Sequence, residues 1–315
     1  MPGLLGSPSS SMFCTKNVPA KIPAPAAGPL FIGTPAKKGR LPLLSQASCG
    51  HPHADWSIPM VDQNNSASKI VHAPHPPLTD YYQNEAQRHR WVRRIFDDTA
   101  ADYDRVERFV GLGSGSRYRG AALLRAGLKP GMKVLDVGVG TGLVSRQIAR
   151  IVGVPELVTG IDPSPGMLEN ARVPAGVKLV RGGVEHLPFA DASFDFVTMG
   201  YALRHIADLS IAFAECARVL RPGGRYCILE ITSPDKKFHA TLLKGYLRGV
   251  APWLARLTSR NAETPVLWNY YWDTIAACAP PSRVMHTLEA AGFGKVDRHV
   301  ELGIFSEYRS DKPQS

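Results

Sequence analysis

The 315-residue chain is long enough for one large or two small domains, and its 44% hydrophobic content supplies a core. With 37 Lys and Arg against 27 Asp and Glu its formal net charge is +10, which favours anions, membrane headgroups or nucleic acid without choosing among them. No apolar run approaches the roughly 20 residues of a spanning helix, and five scattered cysteines (Cys14, Cys49, Cys216, Cys227, Cys278) argue for a reducing compartment and against disulfides or zinc.

Residues 1–79 are rich in Pro, Ser, Ala and Gly, show no sustained hydrophobic period, and read as an extension outside the folded domain. Residues 1–54 carry Lys16, Lys21, Lys37, Lys38 and Arg40 and no acid, the charge balance of an organelle transit peptide without its amphipathic arginine pattern. The other reading is a translated upstream extension, with Met60 as an internal start. The expected location is therefore the cytoplasm, with contact to a membrane surface, or an organelle matrix if the extension is a transit peptide.

Residues 81–110 read as one or two helices. Trp91, Val92, Ile95 and Phe96 make an apolar stripe, and Arg88, Arg90, Arg93 and Arg94 a basic face. Helices placed like these cap the open end of an α/β sheet. A further helix, Arg117 to Ala126, leads through Lys129-Pro130-Gly131 into a first strand, Val134 to Val137. Three alternating glycines follow, Gly138, Gly140 and Gly142, and then a helix with Leu143, Val144, Ile148 and Ile151 at helical spacing. This first strand-to-helix turn is where a doubly wound α/β sheet holds a nucleotide-like ligand. The spacing is G-x-G-x-G rather than the dinucleotide G-x-G-x-x-G, because position 143 is leucine.

A second strand ends at Asp162, close to the roughly 20-residue separation at which a carboxylate accepts ribose hydroxyls. A helix N-cap is the alternative role, since Pro163 to Leu168 turns into a short helix. A third strand (Val177 to Val180), the segment Gly182 to Phe189, a turn at Ala190 to Ser193 and a fourth strand (Phe194 to Met199) come next. An amphipathic helix, Ile211 to Leu220, stops at Arg221-Pro-Gly-Gly224 before a fifth strand, Tyr226 to Ile231. This alternation predicts an α/β fold, a mainly parallel sheet with helices on both faces.

Residues 236–260 carry six basic side chains and no acid, interleaved with Leu242, Leu243, Tyr246, Leu247, Val250, Trp253, Leu254 and Leu257. They read either as a basic amphipathic surface element, a lid over 236–262, or as the solvated face of a packed helix. A helix from Pro281 to Ala291 and two strands, Lys295 to Val300 and Gly303 to Arg309, complete the sequence-based assignment.

The glycine turn led by Asp136 is similar to motif I of class I S-adenosylmethionine (SAM) methyltransferases. From Phe96 to Tyr308 the chain resembles the ubiquinone/menaquinone-biosynthesis C-methyltransferase family. The resemblance rests on Phe96-Asp-Asp-Thr-Ala-Ala-Asp-Tyr-Asp104, Val134 to Leu143, Glu185-His-Leu-Pro-Phe189, Tyr201-Ala-Leu-Arg-His205, Arg218 to Gly224, Glu230-Ile-Thr-Ser-Pro234 and Ala291-Gly-Phe293. It implies a doubly wound, seven-stranded, Rossmann-like methyltransferase domain over 80–311 with N-terminal capping helices. It implies SAM as cofactor, held by Tyr103, Asp136, Gly138, Gly140, Gly142, Asp162, Pro163, Met167, Gly183, Val184, Glu185 and Met199.

The implied reaction is methylation of a ring carbon on a polyprenyl quinol precursor. The chain departs from the family's pattern at Tyr103-Asp-Arg-Val-Glu107, at Tyr118, at His205 where the family has Asn, and at Gly183 where a small polar residue is usual.

Methyl transfer needs in-line alignment and neither a metal nor a covalent nucleophile. Ring-carbon methylation also needs a phenolate and removal of a ring proton. Tyr201, Arg204 and His205 are the candidate catalytic residues: Arg204 to stabilise phenolate charge or to pack a helix, His205 as general base or as a partner of backbone groups. The expected partner is a quinol or phenolic small molecule. Nucleic acid is not expected, because no Asp/Asn-Pro-Pro-Tyr/Phe turn follows the fourth strand. A soluble phenolic or polyketide-like acceptor, and a non-catalytic subunit of a quinone-biosynthesis complex, stand as alternatives.

Overall fold

The computed structural model describes Met60–Val61, residues 70–110, and residues 113–314 apart from 235 and 260; the expectations for residues 1–59 lie outside the described residues. Inside its sheet, third of seven strands, is β1, Val134–Val137, whose four side chains are all buried. Such an uninterrupted run suits a strand covered on both faces. β2 (Val158–Asp162) and β3 (Lys178–Arg181) extend the sheet to one side, β4 (Phe194–Gly200) and β5 (Leu220–Ile231) to the other, all parallel. β6 (Gly294–Glu301) and β7 (Phe305–Asp311) finish it, with β7 antiparallel between β5 and β6. The order is β3-β2-β1-β4-β5-β7-β6, the seven-stranded, mainly parallel sheet that the sequence implies. It reverses direction between β1 and β4, so a crevice opens at their carboxyl ends.

Two helical layers cover the sheet. On one face α2 (Gly115–Arg125) and α3 (Ser145–Val152) bury Ala122, Leu123, Ile148 and Val152 against β1 and β4. On the other, α5 (Leu209–Val219) and α9 (Pro281–Ala290) bury Leu209, Phe213, Val284 and Leu288. Over the carboxyl ends of the strands, α1 (Glu85–Val110) joins a helical run at 237–277. That run comprises α6 (Lys237–Gly245), a π-helical turn (Tyr246–Val250), α7 (Ala251–Thr258) and α8 (Thr264–Ala277). Their shared core contains Tyr82, Ile95, Val106, Leu247, Ala251 and Tyr270.

Three expectations change. First, α1 is one helix of 26 residues, and Arg88 does not belong to its solvated face. Arg88 is 1% exposed, and its Nη2 donates to the carbonyls of Arg204 (3.3 Å) and Ile206 (2.7 Å). A guanidinium on a long stem reaches carbonyls well off its own helix face, so periodicity misassigns it.

Second, the folded domain begins before residue 80. The carbonyls of His72 and Pro74 accept from the amides of Leu209 (2.9 Å) and Ala279 (2.6 Å), and His75 is buried. Composition gives no sign of this strap, because backbone bonds and the buried His75 hold most of it, with only Ala73, Pro74 and Leu78 packing apolar groups beside them.

Third, α8 has no counterpart in the sequence-based assignment. Leu267, Trp268, Tyr270, Tyr271, Trp272 and Ile275 are buried over more than half of its circumference, and Val266 and Ala277 share the less buried side with Asn269 and Asp273, so the apolar stripe is too broad to show a clear period. Among the described residues no helix is long and apolar enough to cross a membrane.

Candidate active site

A cavity of about 420 Å³ lies at the carboxyl ends of β1, β2 and β4, within the size range of small-molecule sites. Its floor is the glycine turn. Gly140 has φ +53°, and a Cβ there would meet no protein atom within 4 Å, so the turn leaves open space over its backbone. Gly138 serves a different need: at φ +69° its Cβ would stand 2.7 Å from the Ala202 Cβ, where the loop after β4 crosses.

At the end of β2, Asp162 accepts from the Gly140 amide through Oδ2 (2.8 Å) and from the Ser164 amide through Oδ1 (2.9 Å). Burial pushes its pKa up to about 6, against the pull of those two amides. A carboxylate has room for further donors beyond two amides.

α1 fastens both loops that border this end. Asp97 accepts from Ser164 Oγ (2.6 Å) and from the Gly166 amide (2.9 Å). Asp104 accepts from Thr141 Oγ1 and from Arg146 Nη2 (2.9 Å). The acidic positions of the 96–104 motif thus hold the glycine turn and the start of α4 (Pro165–Glu169).

Of the residues expected to hold the cofactor, Tyr103, Gly138, Gly140, Asp162, Pro163, Met167, Gly183, Val184, Glu185 and Met199 line the cavity. Asp136 and Gly142 do not. Asp136 lies behind the turn, where its Oδ2 accepts from Ser145 Oγ (2.6 Å) and burial pushes its pKa up to about 7. Its position in the strand interior turns it towards α3. Gly142, at φ +87°, has Val173 Cγ1 2.4 Å from where its Cβ would be, so it serves the turn's backbone. The open backbone at Gly140 and the spare acceptor capacity of the Asp162 carboxylate suit the ribose of an adenosyl group, and Gly183 and Val184 line the same cavity. Bound there, SAM would supply an electrophilic methyl group.

The other half of the cavity is aromatic. Phe96, Tyr103, Tyr201, His205 and Tyr271 line it, with Arg119 beside them. The hydroxyls of Tyr103 and Tyr271 share a hydrogen bond (2.8 Å). Tyr201 is held at φ +61°, a left-handed conformation rare for a bulky residue, by its amide donating to the Leu229 carbonyl (2.7 Å). The Arg119 guanidinium lies 5.5 Å from the Tyr201 ring centroid and donates to Glu107 (2.5 Å); its Nε has no partner among the described residues.

His205 stacks against Tyr270 and meets Phe96 edge-on. Burial, then the charge of Arg204, holds its pKa well below the usual histidine value, so the ring is neutral at pH 7. Its Nε2 is without a hydrogen-bond partner among the described residues.

Arg204 stands apart from the cavity. Its Nη1 pairs with Glu230, its Nε donates to Thr274 Oγ1 (3.1 Å), and its guanidinium covers the outer side of the Tyr271 ring at 4.9 Å. Both charges are buried, and removing one partner of such a pair costs about 3–5 kcal/mol. The geometry gives Arg204 a packing role in this arrangement. Arg119, Tyr271 and Phe96 are cavity residues that the sequence does not single out for chemistry. Arg119 sits on a weakly patterned helix and Tyr271 on one whose apolar stripe covers more than half of its circumference.

Comparison with known proteins agrees with this geometry. The model of the ubiE/COQ5 methyltransferase family matches residues 83–310. The chain is 30% identical over 248 residues to the ubiquinone/menaquinone biosynthesis C-methyltransferase UbiE of Stutzerimonas stutzeri, covering 75% of this chain and 96% of that one. It is 34% identical over 223 residues to the demethylmenaquinone methyltransferase of a Mycobacterium species (strain JLS), covering 70% and 94%. The fold is similar to a putative S-adenosyl-L-methionine-dependent methyltransferase from Methanococcus maripaludis: TM-score 0.50, 18% identity, 70% of this chain and 95% of that one. With its seven-stranded sheet, its glycine turn and its match over most of its length, the chain belongs to the ubiE/COQ5 methyltransferase family and is a SAM-dependent methyltransferase.

Proposed function

We propose that the protein methylates a ring carbon of a quinol or closely related phenol, an acceptor that in the named relatives belongs to quinone biosynthesis. The observation that carries this reading is the aromatic half of the cavity, where flat apolar walls meet the Arg119 guanidinium beside Tyr201 and the neutral imidazole of His205. A quinol ring stacks between such walls, and water is kept from its reacting carbon. The ring must be a phenolate to be nucleophilic at carbon. The Arg119 guanidinium, with an unused Nε–H, supports negative charge on the phenol oxygen.

After the new carbon–carbon bond forms, the ring must lose the hydrogen at that carbon to become aromatic again. That proton is strongly acidic, so a weak base suffices, and the neutral His205 Nε2 serves as its acceptor. The aromatic wall and Tyr201 orient the ring. An acceptor with an isoprenoid tail resides in a bilayer, so the protein works at a membrane surface in this reading. Incubation with methyl-labelled SAM and a panel of quinols, phenols and RNA tests it. Label on a long-tailed quinol supports the proposal. Label confined to RNA, or reaching no quinol or phenol, overturns it.

A further inference from the structure

The helical run at 237–258 has two apolar faces, and only one belongs to the core. The inner face, Leu247, Ala251 and Ala255, packs on α1 and α8. The outer face carries Phe238 (70% exposed), Leu242 (57%), Val250 (45%), Trp253 (58%) and Leu257 (64%). These are half of the large exposed apolar side chains among the described residues, so the exposure is concentrated rather than scattered. Their separations of three, four and eight residues put them on one stripe. The π-helical turn Tyr246–Val250 winds with more residues per turn than an α-helix, which brings Val250, Trp253 and Leu257 into line with Phe238 and Leu242.

Lys236, Lys237, Arg248 and Arg256 are exposed along the same run and Lys244 half-exposed, with no acid among its described residues from 236 to 259. Only Arg248 has an acidic partner there, Asp273 at 3.2 Å, contributed by α8.

We infer that this outer stripe of α6, the π turn and α7 is the face by which the protein sits in an anionic lipid surface, with the helix lying in the plane of the headgroups. An apolar stripe containing Trp and Phe, flanked by lysines and arginines whose stems reach outwards, is the composition of an interfacial helix. The charge argues against a second copy of the chain as the occupant: two such faces would bring like charges together without an intervening acid. The inner face of the same run packs on α1 and α8, which supply Phe96, Tyr103 and Tyr271 to the aromatic half of the cavity. The lipid-facing stripe and the acceptor's walls are therefore two sides of one helical layer. This deepens the proposed function by naming the surface that delivers the acceptor. Vesicle binding is read without acceptor, so its failure and that of the quinol chemistry are distinguishable.

The test uses the full chain and vesicles of phosphatidylcholine mixed with phosphatidylglycerol. The unsubstituted protein should co-sediment with them, and its tryptophan emission should shift to shorter wavelength, a shift lost in Trp253→Phe. Phe238→Ser, Trp253→Ser and Leu257→Ser combined should weaken vesicle binding at least tenfold, with melting temperature and SAM affinity unchanged because the three side chains are exposed. Vesicle binding equal in the triple variant and the unsubstituted protein would overturn the inference. So would no binding by either, or a triple variant that dissociates an oligomer, which would place a second copy on the stripe.

Discussion

The Gly140 amide donates to Asp162 Oδ2 at 2.8 Å, tying the glycine turn after β1 to the end of β2. In the cofactor site proposed here the same carboxylate, which lines the cavity, accepts ribose hydroxyls, so one proton would govern both the turn and cofactor binding. Burial pushes the Asp162 pKa up to about 6. The raised value means that the free folded protein takes up this proton more readily than the unfolded chain does. Its contribution to stability is thus present at low pH and lost as pH rises through about 6. Cofactor binding needs the deprotonated form and has the opposite trend. SAM affinity should weaken below pH 6, approaching about tenfold per pH unit. Asp162→Ala should cost about 1–3 kcal/mol of SAM binding at pH 8 and flatten the profile, as calorimetry would show.

Arg88 holds the loop that follows β4. Without its bonds to the carbonyls of Arg204 and Ile206, two buried acceptors lose a charged donor. Arg88→Met should lower stability by about 1–3 kcal/mol, read from the urea midpoint. SAM affinity should change little, because the glycine turn and Asp162 are untouched. Turnover should fall, because Tyr201 and His205 shift.

His75 is the titrating part of the strap at residues 70–79. Burial, then the Arg88 charge, lowers its pKa to about 4. The unfolded chain therefore binds this proton first, and stability from His75 is present above about pH 6.5 and lost as pH falls towards 4. His75→Gln should be destabilising at pH 7. Its deficit against the unsubstituted protein should shrink by up to about 1.4 kcal/mol per pH unit through that window. Denaturant melts at a series of pH values check this.

Arg119 faces the acceptor end of the cavity. Arg119→Met should lower kcat about tenfold to a hundredfold, the range for losing a hydrogen bond to a charged group. SAM affinity should stay as it was. The rising limb of the pH–rate profile should move to higher pH, since the phenol would ionise without a cation nearby, and Arg119→Lys should restore part of it. An unmoved pH profile would assign Arg119 to packing with Glu107 alone.

The parallel part of the fold is legible in the sequence because most of its strands contain an apolar run bounded by turn residues. Val134–Val137 before three glycines is the clearest case. The helical layer over the cavity is far less legible. α8 buries more than half of its circumference, which blurs its period, and the strap around His75 is held mainly by backbone bonds. Within the site, glycines and strand-end carboxylates announce themselves, since their backbone roles depend on local spacing. The guanidinium groups do not: the sequence singles out Arg204 for chemistry, puts Arg88 on a basic face and leaves Arg119 unmarked. Partners distant in the chain decide which is a loop anchor, which a cavity wall and which half of a buried ion pair.

The central claim is methyl transfer to a ring carbon, and the position of the new methyl group tests it most directly. The full-length protein is incubated with SAM carrying a carbon-13 methyl group and a long-tailed quinol presented in vesicles, and the product is examined by NMR and fragment mass spectrometry. The account predicts a methyl resonance of the aryl-methyl class and a labelled ring fragment. A methoxy resonance, or label recovered only on a non-aromatic acceptor, would contradict it.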